Sequence, residues 1–218
     1  MPVLQNNRQP EPLDWFSRPP GCALLQAESA VISGALVARP AHQPWLWLVP
    51  APTADEALQP PPPGLRLLRE GAGLAGGVRC GLPLPLPSEG IGNIILQHVL
   101  DCPFEGLLQE CARVLEPGGR LLLFALNPWS PYRARWAFSG MEVHSPSRWQ
   151  ERLGTVGLQP CAAGTSFLGP VWQQQQAGEA GTPEWLRAAC LLQVEKRTVA
   201  AIPPAPVTAK WQAGAAPA

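Results

Sequence analysis

The stretch that decides the fold runs from Asn93 to Leu126. It opens on Asn93-Ile94-Ile95-Leu96-Gln97, passes Asp101, and continues through the apolar positions Phe104, Leu107, Leu108, Cys111, Val114 and Leu115. It closes on Leu121-Leu122-Leu123-Phe124-Ala125-Leu126. The opening residues suit a short strand. The i, i+3, i+4, i+7 spacing that follows predicts an amphipathic helix from Phe104 to Leu115, with Asp101 as its cap. Pro117-Gly118-Gly119 is expected to stop that helix, because glycine takes the left-handed C′ conformation without steric penalty. The final apolar run suits a strand covered on both faces. A strand, a helix and a second buried strand make a βαβ unit, which belongs to a parallel sheet. The fold class is therefore α/β.

Upstream, Trp45-Leu46-Trp47-Leu48-Val49 is a short apolar run closed by Pro50 and Pro52, and it is expected to be a buried strand. Thr53-Ala54-Asp55-Glu56 spells a capping box for a short helix that Pro60-Pro61-Pro62-Pro63 ends. Leu65 to Arg69 reads as a strand, and Val78-Arg79-Cys80, after a glycine-rich stretch, as a very short one. Residues 14–40 form an expected N-terminal helix, with Leu24, Leu25, Val31, Ile32 and Leu36 on one face and the pair Trp15-Phe16 before it. Downstream, Pro131 to Phe138 is a candidate short helix. Ser145-Pro146 has the cap and N1 proline of another, reaching Val156. Leu158 to Phe167 and Ala189 to Lys196 are expected to pair antiparallel across a loop containing Gln173 to Gln176. Residues 1–13 and 198–218 read as a flexible and a disordered tail, leaving 14–197 as one domain.

Composition narrows the class of protein. The 218 residues include 28 prolines and 21 glycines, so only part of the chain is expected to be regular structure. Sixteen basic and sixteen acidic residues cancel, leaving no electrostatic footprint for nucleic acid or an anionic membrane. The start has no basic and apolar leader, which points to a cytoplasmic protein. Six scattered cysteines without a C-x-x-C pair predict reduced, mostly buried thiols and no metal site.

Leu84-Pro85-Leu86, the strand ending in Gln97-His98-Val99-Leu100, and above all Arg113-Val114-Leu115-Glu116-Pro117-Gly118-Gly119-Arg120-Leu121-Leu122-Leu123 carry a resemblance. Together they resemble the second half of a class I S-adenosylmethionine-dependent methyltransferase of the type 11 group. Asn127-Pro128-Trp129-Ser130, Trp15-Phe16 to Glu28, and Val194-Glu195-Lys196-Arg197 resemble a small proteobacterial branch of it. The resemblance implies a Rossmann-like sheet, mostly parallel with an antiparallel C-terminal strand and abbreviated in its N-terminal half. It also implies S-adenosyl-L-methionine as cofactor and an unknown methyl acceptor as partner.

Carried over by position, the cofactor-binding residues are Val49, Pro50 and Ala51 after the first strand, Glu70 after the second, Cys80 and Gly81 at the adenine position, and Gln97 and His98 at the end of the fourth strand. His98 is the candidate catalytic residue, as a pocket wall or proton acceptor. Equally, it reads as a strand-end histidine satisfied by backbone. Glu28 reads as a solvated helix position, and Asn127 to Ser130 as a strand-ending turn. Trp129, Trp136 and Trp149 are either an aromatic pocket wall or core packing. Val49-Pro50-Ala51-Pro52-Thr53 holds no glycine, and a thiol cannot replace an acidic acceptor at Cys80. These departures support the alternative of a catalytically inactive methyltransferase-like binding or scaffolding domain.

Overall fold

The computed structural model describes residues 11–38, 43–52, 63–171 and 184–197. The capping box at Thr53, the Gln173–Gln176 run and the stretch 198–218 lie outside the described residues. A 3-10 turn at Pro12–Ser17 leads into helix α1 (Pro19–Ala38). Strands β1 (Trp45–Val49), β2 (Gly64–Glu70), β3 (Gly73–Gly76) and β4 (Ile91–Gln97) follow, then α2 (Leu107–Val114) and β5 (Leu115–Leu126). A 3-10 turn at Pro131–Arg135, α3 (Pro146–Thr155), β6 (Leu158–Leu168) and β7 (Ala189–Lys196) complete the domain. Pro12 and Leu13, expected in the tail, belong to the first turn, where Leu13 is buried.

The seven strands form one sheet in the order β3-β2-β1-β4-β5-β7-β6. Strands β2, β1, β4 and β5 run parallel, and β4 and β5 pair as expected, with Ile94 opposite Leu121 and Leu96 opposite Leu123. Strands β6 and β7 are antiparallel, and β7 inserts between β5 and β6. Alternation along β4 and β5 divides the core. Ile94, Leu96, Leu121 and Leu123 pack toward Leu107, Leu108, Cys111 and Val114 of α2 and toward Trp149 and Leu153 of α3. Ile95, Leu122 and Phe124 pack toward Ile32 and Leu36 of α1. The sheet is thus covered on both faces, as its continuous apolar runs require.

Four local expectations are corrected. Helix α2 starts at Leu107 rather than Phe104, because Gly106 before it sits at φ +79° and ends the preceding turn in a left-handed conformation. Phe104 is only partly buried. Asp101 does not cap α2, since its carboxylate accepts from the Leu126 N–H at 3.1 Å instead. Pro117-Gly118-Gly119 lies inside β5, looped out where the register skips from Ile91↔Leu115 to Asn93↔Arg120.

The stretch Val78–Cys80 is not a strand. The glycine-rich turn lets the chain fold back early, so β3 forms an antiparallel hairpin with β2, pairing Arg69 with Leu74 and Glu70 with Gly73. Cys80 makes a single bridge to Leu74. The expected helix at Pro131 is the 3-10 turn, whereas α3 starts as expected, with Ser145 Oγ accepting from the Arg148 N–H at 3.4 Å. Among the described residues α1 is the helix long and apolar enough to cross a membrane, at mean hydropathy 1.5. Here it packs Leu24, Leu25, Glu28, Ile32 and Leu36 into the domain.

Candidate functional site

Parallel strands deliver their following loops to one edge, and in open α/β sheets ligands bind in the crevice there. That edge is formed by Val49, Glu70, Gln97 and Leu126, the last residues of β1, β2, β4 and β5.

His98 is the first residue beyond β4, at φ +54°, with its N–H donating to the Phe124 carbonyl at 3.0 Å. This turned backbone aims the ring into the domain. Nδ1 lies 2.7 Å from Asp101 Oδ2, and Nε2 lies 2.8 Å from Glu28 Oε1 on α1. The other Glu28 oxygen accepts from Gln97 Nε2 at 2.9 Å, and Gln97 Oε1 accepts from Trp47 Nε1 at 3.1 Å. The Phe16 ring stacks on His98 at 4.7 Å. Glu28, Gln97, His98 and Asp101 are all 0% exposed.

Burial alone pulls the His98 ring down, but the Glu28 charge and the bonds from both carboxylates outweigh it and push the group up to about 10. Burial pushes the Asp101 carboxyl up, against the opposing pull of His98. His98 is therefore an imidazolium at neutral pH, giving both N–H groups to carboxylates. In that state it has no lone pair with which to accept a proton, and its sealed position keeps it from touching a substrate. What the cluster does here is fasten α1 to the end of β4. Glu28 is thus not a solvated helix position, and His98 is satisfied by carboxylates rather than by backbone.

Val49, Pro50 and Ala51 are also buried, with Ala51 packed among Trp15, Phe16, Leu24 and Leu25. Because Val49 pairs with Leu68, Arg69 stands level with Pro50. Its guanidinium donates to the carbonyls of Val99, Cys102 (2.9 Å) and Pro103 (2.6 Å) and lies over the Phe104 ring. Strand β1 lies between β2 and β4, so Arg69 spans the carboxyl end of β1 like a strap. Glu70 is exposed beside it, 3.3 Å from Arg79. Gly81 is exposed and Cys80 half-buried, and burial raises its thiol. Both the N–H and the C=O of Cys80 bond to Leu74, at 2.9 and 2.8 Å, so its amide is not free for a ligand.

The eight sequence-predicted residues therefore share one edge but split into two groups. Glu70, Cys80 and Gly81 are accessible, and a carboxylate at the end of β2 is suited to bonding ribose hydroxyls. Val49, Pro50, Ala51, Gln97 and His98 are covered by Phe16, Arg69 and Glu28. In this arrangement Glu70 can be reached from solvent, and Pro50, Ala51 and His98, which follow β1 and β4, cannot. No group of three His, Cys, Asp or Glu side chains is placed to hold a metal among the described residues. Glu28 and Asp101 take opposite nitrogens of one ring and do not converge.

Trp129, Trp136 and Trp149 do not form a pocket together: Trp149 and Trp136 are buried in separate clusters and Trp129 is half exposed. Asn127 ends β5 as a turn, with Nδ2 donating to the carbonyls of Trp185 and Arg187 at 2.6 and 2.7 Å. Sequence reasoning missed Arg69, Phe16 and Asp101. For Glu28 a signal existed, since a lone acid four residues after Leu24 and four before Ile32 falls on the apolar stripe of α1.

No protein-family model and no curated protein sequence matches this chain. Among solved structures it is similar to the methyltransferase of a Haloferax volcanii complex with the Trm112 methyltransferase activator. That match has a TM-score of 0.51 and 12% identity over 86% of this chain and 98% of that one. It is also similar to a SAM-dependent methyltransferase from Archaeoglobus fulgidus, with a TM-score of 0.50 and 9% identity over 79% of this chain and 98% of that one. At such identities the likeness is one of fold, a Rossmann-like, mostly parallel sheet shared with these two structures.

Proposed function

We propose that this chain is an S-adenosylmethionine-dependent methyltransferase acting on an acceptor not yet identified, with residues 14–197 as its functional unit. The observation that carries the reading is the seven-strand order, with β7 inserted antiparallel between β5 and β6 and the parallel strands ending at one edge. Glu70, an accessible carboxylate at the end of β2, is read as the group that would hold the ribose. The antiparallel β2–β3 hairpin is read as the abbreviated part of the cofactor half, and the Asn127-Pro128-Trp129-Ser130 turn as a mark of the proteobacterial branch. With α1 packed on the sheet rather than free, the domain is read as soluble and cytoplasmic.

The arrangement described is a closed one, and binding requires Phe16 and Arg69 to leave the edge. Positioning of donor and acceptor is the main contribution a protein makes to such a transfer. The cofactor, when bound, supplies the methyl group. Glu70 would hold it at the ribose. A second reading, the binding or scaffolding domain, is favoured by the Arg69 strap and by Ala51 packed under Trp15 and Phe16. Amide hydrogen exchange with and without S-adenosylhomocysteine separates the two. Methyl transfer predicts altered exchange at 49–51, 69–70 and 97–104, whereas identical exchange across the chain at saturating ligand supports the scaffold.

A further inference from the structure

A concave site lies between the 3-10 turns at Pro12–Ser17 and Pro131–Arg135. It is a cleft of about 280 Å³ whose lining includes Trp15, Arg18, Arg135, Phe138 and Glu11. Its walls are fixed to each other: Trp15 Nε1 donates to the Arg135 carbonyl at 2.8 Å, and Tyr132 Oη to the Pro20 carbonyl at 3.1 Å. Trp15 itself is 3% exposed. Two features of the cleft lack an explanation within the fold. Arg18 and Arg135 have no acidic partner among the described residues. Phe138 is 100% exposed, the most exposed large apolar side chain among the described residues.

Glu11 does not neutralise the arginines. Its Oε1 lies 3.9 Å from where a Cβ on Gly71 would stand, and its charge acts on Arg69 at the strap. With the one lining carboxylate turned elsewhere, two guanidinium groups are left facing the cleft, which makes it a site for an anionic group. A guanidinium binds a carboxylate through paired N–H donors. An exposed phenyl ring beside it offers apolar surface to a flat partner. The volume is below the range for drug-sized ligands and suits a single ring.

We propose that this cleft binds a small aromatic carboxylate, held by Arg18 and Arg135 at its charged end and by Phe138 along its ring. The proposal goes beyond methyl transfer, since the cleft stands whether or not a cofactor occupies the sheet edge. Calorimetric titration of the full chain with phenylacetate, without cofactor, tests it. Saturable binding is expected, with acetate about tenfold weaker or worse and benzylamine silent. Arg18→Ala and Arg135→Ala should each weaken phenylacetate about fivefold or more. Phe138→Ser should weaken phenylacetate toward the level of acetate and leave acetate unchanged. All three side chains are exposed, so the variants should melt like the parent, and that melt is the control for folding. No heat from phenylacetate at roughly 10 mM, or binding unchanged in both arginine variants, overturns the proposal.

Discussion

Raising the pH from 7 to 9 should destabilise this protein through His98, by an amount that follows from the buried cluster. The ring titrates at about 10 in the folded chain and near its ordinary 6.5 when unfolded. A group whose folded pKa is raised contributes stability that is fully present below the unfolded value and is lost as pH rises through the folded one. Between the two values the folded state holds one proton more than the unfolded, so stability falls by about 1.4 kcal/mol per pH unit. Over the window from pH 7 to pH 9 the loss is roughly 2–3 kcal/mol. Buried thiols add to the slope, because Cys111 and Cys190 are pushed up to about 12 and stay neutral when folded. A control that keeps the thiols removes that contribution: the neutral combination Glu28→Gln, His98→Asn, Asp101→Asn. Asparagine suits position 98 because it tolerates the positive φ found there. Urea unfolding at pH 7, 8 and 9 should show the parent losing roughly 2–3 kcal/mol more than the control across the window. Equal slopes would refute the clamped imidazolium.

Leu108→Ala should cost about 2–5 kcal/mol in urea unfolding, because Leu108 is 6% exposed in the main core, and a cost within error of zero would place that face outside the core. Gly21→Ala should lower the melting temperature, since a Cβ there would stand 2.5 Å from the Phe16 Cα and the Trp15 carbonyl, and overpacking of this kind costs about 1–3 kcal/mol. An unchanged melt would mean that the first turn shifts freely on α1. Arg69→Met keeps the stem and removes the strap, so amide exchange at residues 99–104 should accelerate; unchanged exchange would show that the loop holds itself.

The centre of the fold was legible because two signals agreed. The spacing from Leu107 to Val114 and the apolar runs of β4 and β5 each point to a covered parallel pair, and both faces are indeed covered. Element ends were less legible, since Gly106 and the looped-out Glu116–Gly119 answer to tertiary pairing rather than to local preference. The β2–β3 hairpin was hidden because glycines permit a reversal without demanding one. For the site, position along the chain brought all eight candidates to one edge. Their burial was not legible. The side chains that cover them come from remote places, Phe16 and Glu28 from the N-terminal segment and Arg69 from β2, and each looks like an ordinary surface or helix residue until the sheet order places it.

Entry of a cofactor into this closed edge is read by calorimetric titration with S-adenosylhomocysteine, which needs no acceptor. Saturable binding is expected for the parent, tighter binding for Arg69→Met, whose strap is gone, and weaker binding for Glu70→Gln, which loses the carboxylate for the ribose hydroxyls. Absence of heat and of any thermal shift at roughly millimolar ligand, in the parent and in Arg69→Met alike, would contradict it.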